Sequence, residues 1–157
     1  MKTINPSPKA MKAFTQDVVD NQAIVMVNIL RFKDLADYGD GVVKNLTGRE
    51  AYANYSKNVM PLLWEVGGQV LWGGDVRSTF IAPPDEQWDE VLLVQYPNRQ
   101  AFITMISSPA YKEAMQHRTA AIADSRLIET KSLRLPKMVL KLARQVVRIK
   151  RFVSPKI

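Results

Sequence analysis

The sequence predicts an α+β fold with a four-stranded sheet, and three observations predict it. Four apolar, β-branched segments of strand length are bounded by turn signals. Two stretches between them carry apolar residues three or four apart, the spacing of a helix face. The elements succeed one another as strand, helix, strand, strand, helix, strand. The chain of 157 residues is 46% hydrophobic and 24% charged, a composition that supports one packed domain and excludes wholesale disorder.

The elements follow in order. Residues 1–22 read as an extension with a short helix over 8–19, Met11, Phe14 and Val18 lying at helical spacing. Residues 23–30, AIVMVNIL, form the first strand, interrupted by Asn28. A polar loop with YGDG at 38–41 leads to Thr47, which caps a helix over 48–66 in capping-box spacing with Glu50; Pro61 disturbs its last turn. Gly67 and Gly68 end the helix and open a strand over 69–82, where Gly73 and Gly74 predict a bulge or bend. Pro83, Pro84 and Asp85 turn the chain into a strand over 88–96. A helix over 97–106 is broken by Ser107, Ser108 and Pro109, another runs over 109–123, and a last strand covers 126–133. Four strands with two crossovers in this order make a ferredoxin-like βαββαβ protomer. Such a sheet leaves one face without helices, and pairing with a second copy is the common way to cover it. The domain thus spans 23–133, with a separate tail over 134–157.

Composition excludes several chemistries. With 0 Cys and a single His there is no disulfide framework, no thiolate or multi-imidazole metal site and no cysteine nucleophile. The phosphate-binding, zincin, nucleophile-elbow and EF-hand patterns are missing too. The reading is therefore a protein without metal or cofactor, either a binder or an enzyme of cofactor-free isomerase, lyase or monooxygenase-like type. The N-terminus lacks a signal-peptide core and no apolar run reaches membrane-spanning length, so a cytoplasmic location is expected, soluble or peripheral on the inner membrane face.

The segments VMVNILRF at 25–32, AYANY at 51–55, VGGQVLWGGD at 66–75 and VLLVQYPNRQAFITMISSPAYKEAMQHRTAA at 91–121 resemble the family called domain of unknown function 1330. The likeness spans about residues 23–133. It implies a dimeric α+β barrel, the ferredoxin-like protomer pairing sheet to sheet as a homodimer, and implies no particular reaction. It also sets Asn28 near the pocket and matches Arg118 to the family's recurrent arginine, an anion or carbonyl anchor.

The residues themselves propose a site. The amide of Asn28 in an apolar strand needs partners, either a neighbouring loop or a cavity. Arg31 at the strand end suits a carboxylate or phosphate. Tyr52 and Tyr55 share a helix face, where Tyr55 is a candidate proton donor, Tyr52 a candidate for substrate contact, and both are candidates for packing. Trp64 and Trp72 offer flat apolar walls, Trp72 being the candidate for substrate contact. His117 is the one side chain titrating near neutrality, a candidate base whose neutral form Arg118 would favour. Asp75 and Asp124 are candidate partners of Arg118. Together they describe a pocket for a hydrophobic small molecule.

Charge is distributed unevenly. Residues 1–130 hold 13 Lys and Arg against 15 Asp and Glu, whereas 131–157 hold nine basic residues and no acid. On a helical wheel from Met138, Lys137, Lys141, Arg144, Arg148 and Arg151 fall within roughly 220° to 300°, opposite Val139, Leu142, Val146 and Ile149. A basic amphipathic helix of this kind suits an anionic membrane surface. Docking on its own barrel or on a partner is the competing reading, and the single aromatic, Phe152, argues against nucleic acid.

Overall fold

The computed structural model describes residues 3–16, 21–39 and 45–132. The expected helix over 134–157, with Lys137, Lys141, Arg144, Arg148 and Arg151, lies outside the described residues. Eight elements follow in chain order: α1 (Pro8–Gln16), β1 (Ile24–Phe32), α2 (Gly48–Glu65), β2 (Gln69–Asp75), β3 (Glu90–Tyr96), α3 (Arg99–Ser107), α4 (Pro109–Ala121) and β4 (Ile122–Lys131). The sheet order is β2-β3-β1-β4, with every neighbouring pair antiparallel. The split βαβ topology expected from the sequence is the one observed, a ferredoxin-like α+β fold.

Helix starts follow local chemistry. Thr47 and Glu50 form the expected capping box: the Thr47 hydroxyl accepts from Glu50 N–H and the Glu50 carboxylate accepts from Thr47 N–H at 2.8 Å. Those bonds hold the Glu50 carboxyl below its usual range. Asn98 caps α3 and Ser108 caps α4, with Pro109 in its first turn. Pro61 lacks a helical donor, yet α2 continues to Glu65.

The core lies between one sheet face and the helices. Ile24, Met26 and Leu30 alternate along β1 onto that face. They meet Val59 and Leu63 of α2, Phe102 and Met105 of α3, and Ala114 and Ala121 of α4. In α1 only Phe14 packs, its ring 5.6 Å from Phe102, while Met11 stays exposed.

Three expectations are corrected. β2 ends at Asp75 rather than running to residue 82, because the chain leaves the sheet into a loop whose Phe80 and Ile81 are almost fully exposed. β4 begins at Ile122, four residues earlier than expected, because Ile122 and Ser125 are both buried there and pair with Phe32 and Leu30. The bulge of β2 falls at Leu71, where the register against β3 shifts, and not at the glycines. Gly73 and Gly74 instead admit close neighbours: a Cβ on Gly73 would meet Leu92 at 2.7 Å and one on Gly74 the Trp72 ring at 2.6 Å.

The opposite sheet face is apolar and, among the described residues, bears no helix. Register places Val25, Val27, Ile29, Val91, Leu93 and Ile128 on it, and the Leu71 bulge brings Trp72 opposite Leu93 on the same face. Trp72 is 54% exposed and Ile128 48%. No helix among the described residues is long and apolar enough to cross a membrane.

Candidate functional site

The helix side of the sheet gathers most of the polar groups that the sequence singles out. Asn28 stands between Met26 and Leu30 in β1, opposite Leu92 and Leu127. Its amide donates to the Met26 carbonyl at 3.2 Å, so part of the need for partners is met within the strand. Tyr52 and Tyr55 project from one face of α2 with ring centroids 5.2 Å apart, and Tyr52 lies 5.3 Å from Phe32. The Tyr55 hydroxyl donates to the Tyr111 hydroxyl at 3.2 Å, tying α2 to α4. Burial pushes the Tyr52 and Tyr55 phenols well above their ordinary range, with Arg118 opposing it. Both phenols therefore stay protonated near neutrality, as hydrogen-bond donors rather than bases.

Arg118 in α4 is the buried cation of this region, 8% exposed. Its guanidinium donates to the Ile4 carbonyl at 2.7 Å and to the Ser125 hydroxyl at 3.1 Å. Neither candidate carboxylate takes it. Asp75 pairs with Arg49 at 2.9 Å, and Asp124 pairs with Arg126 at 2.7 Å while accepting from Thr3 N–H. Among the described residues no acid lies within ion-pair distance of Arg118.

Adjacent side chains on a helix point about 100° apart, and this separates His117 from Arg118. His117 is half-buried and turns to the loop after β1, where its Nδ1 and the Tyr38 hydroxyl share a 2.8 Å hydrogen bond. When the imidazole is neutral with its proton on Nε2, the phenol donates. Tyr38 and Tyr111 complete this constellation, and the sequence reading missed both. Their signal was faint: a tyrosine inside YGDG and another at the third position of a helix.

Arg31 and Trp72 lie elsewhere. Arg31 lines an open groove of about 600 Å³ with Lys33, Asp34, Arg49, Gln87 and Asp89, and reaches Gln87 at 3.3 Å. Trp72 occupies the helix-free sheet face, across the sheet from Tyr52, Asn28 and Arg118. Trp64 is 65% exposed on α2. Among the described residues no group of His, Cys, Asp and Glu has metal-binding geometry.

The family described as "Domain of unknown function (DUF1330)" matches residues 41–130. The chain belongs to this family. The DUF1330 match includes Tyr52, Tyr55, Trp72, His117 and Arg118 and begins after Asn28 and Arg31. The RPA0582 protein from Rhodopseudomonas palustris, a protein of unknown function, is 38% identical. That likeness covers 86% of this DUF1330 chain and 100% of that one, at a TM-score of 0.79. Methylated RPA0582 gives the same identity, with 86% and 98% covered and a TM-score of 0.80. The hydroxynitrile lyase from Passiflora edulis is 8% identical over 74% of this chain and 98% of that one, with a TM-score of 0.50. At that identity the likeness is one of fold alone. No curated protein matches the chain.

Proposed function

We propose that the protein is a cofactor-independent homodimeric barrel that binds a hydrophobic small molecule between the helix side of its sheet and α2 and α4. The observation that carries this reading is the buried guanidinium of Arg118 beside the phenols of Tyr52 and Tyr55, with no carboxylate among the described residues to neutralise it. A charged group held out of water without a counter-ion is costly unless a ligand shares its hydrogen bonds. In this reading Arg118 anchors a carbonyl or anionic group, Tyr52 and Asn28 line the site, and Tyr55 donates a hydrogen bond. Arg31 lies outside this site, in the open groove it lines, and Trp72 acts at the dimer face.

The geometry favours binding over catalysis by His117, because the imidazole is engaged with Tyr38 and points away from Arg118. If the site is catalytic, Tyr55 is the proton donor of a cofactor-free isomerase, lyase or monooxygenase-like reaction. The alternative is an accessory protein whose tail recruits a partner or completes the oligomer. The apolar sheet face, helix-free among the described residues, supports the homodimer. The membrane-surface role rests on the basic tail of the sequence.

Titration of the full chain with the neutral fluorophore 1-aminoanthracene tests the ligand site. The expected result is saturable binding, weakened about tenfold or more by Tyr52→Trp, which enlarges the buried side chain beside Arg118. Absence of binding, or binding indifferent to that substitution, overturns the site. Co-sedimentation with anionic and neutral vesicles at low and high salt tests the membrane role; salt-sensitive binding to the anionic vesicles supports it and no binding retires it.

A further inference from the structure

The N-terminal strap deepens this reading of the site and depends on it. Thr3 and Ile4 pair with the start of β4: Ser125 N–H donates to the Thr3 carbonyl at 2.8 Å, and Thr3 N–H donates to the Asp124 carboxylate at 2.8 Å. This pairing delivers the Ile4 carbonyl to the Arg118 guanidinium at 2.7 Å. It also lays the Ile4 side chain against the cluster of Leu30, Tyr52, Ala121 and Ile122. A single residue thus presents a carbonyl oxygen to the buried cation and a branched aliphatic group to the apolar wall beside it.

That pairing is the chemistry of a short aliphatic acid. The neutral carbonyl accepts one guanidinium hydrogen bond and supplies no counter-charge, whereas a carboxylate supplies the charge and accepts in bidentate fashion. We propose that Ile4 is an internal stand-in for a branched aliphatic carboxylate, and that such a ligand binds Arg118 by displacing the strap. The strap is then a competitor, and apparent affinity is the intrinsic affinity reduced by the fraction of molecules with the strap open.

The test uses the full chain and 4-methylpentanoate as probe, with 4-methylpentanamide as the uncharged control, read by calorimetry. The carboxylate is expected to bind more tightly than the amide. Ile4→Gly, which removes the aliphatic anchor of the strap while leaving Arg118 in place, is expected to raise carboxylate affinity about tenfold. Arg118→Gln is expected to abolish the preference for the carboxylate over the amide. If Arg118→Gln fails to fold, the Ile4→Gly comparison and protection of the Thr3 amide, which donates to Asp124, against hydrogen exchange, lost when the carboxylate binds, decide the matter. Equal binding of acid and amide, or an affinity unchanged by Ile4→Gly, overturns the proposal. Binding of 1-aminoanthracene with no binding of 4-methylpentanoate overturns the strap inference and leaves the ligand site standing. Failure of both probes removes the two together.

Discussion

Arg118 and Ile4 are separated by 114 positions in the chain and meet at 2.7 Å. The contact closes the N-terminal strap over the end of the site and rests on Ser125, whose hydroxyl accepts from Arg118 and donates to the Thr3 carbonyl. Ser125→Ala leaves a buried guanidinium donor unpaired and is expected to cost about 1–3 kcal/mol, read as a lower denaturant midpoint at unchanged slope. An unaltered midpoint would mean that water replaces the hydroxyl.

Acid should loosen the strap before the core. Burial pushes the Asp124 carboxyl up, but the bonds from Thr3 N–H and Arg126 and the Arg126 charge outweigh it, holding the carboxyl below its ordinary value of 3.8. A depressed carboxylate contributes stability that is complete above the unfolded value and lost as pH falls through the lower folded one. Hydrogen exchange at Thr3 is expected to be unchanged from pH 7 to pH 5 and to rise below about pH 4, after correction for intrinsic rates.

Three of the five tyrosines should resist ionisation. Burial raises the phenols of Tyr52, Tyr55 and Tyr96 well above 10. Absorbance at 295 nm during an alkaline titration is expected to show those three holding their protons until the protein unfolds. Reversible ionisation of all five in the folded state would place Tyr52 and Tyr55 in contact with water.

Gly48 sits where three elements converge. Its N–H donates to the Lys33 carbonyl at 3.0 Å, and Lys33 N–H donates to the Ala121 carbonyl at 2.8 Å. A Cβ here would strike the Lys33 carbonyl and approach the Ala121 carbonyl at 2.6 Å, both rigid backbone. Gly48→Ala is expected to destabilise by about 2–3 kcal/mol by forcing α2 off the sheet, measured by thermal melting.

The helix-free face should hold the dimer. Val27 lies on β1 at the centre of that face, between Leu93 of β3 and Ile128 of β4. Val27→Asp is expected to give a folded monomer by sedimentation velocity with its far-ultraviolet dichroism retained. A persistent dimer would place the interface elsewhere.

The local layer of this structure is legible in the sequence. Element order follows from periodicity, and the Thr47–Glu50 capping box from residues three apart, so both are read from the sequence, whereas the Asn98 and Ser108 caps appear only in the structure, the serine having read as a helix break. Tyr52 and Tyr55 share a face for the same reason. The tertiary structure alone decided the rest. The Leu71 bulge exchanges the faces of the sheet and carries Trp72 away from the site, because one inserted residue reverses an alternation of period two. The helical turn that sends Arg118 inward sends His117 to Tyr38. Arg118 finds a backbone carbonyl from the other end of the chain instead of Asp75 or Asp124, and that partnership depends on chain closure across 114 positions, where no local spacing reaches.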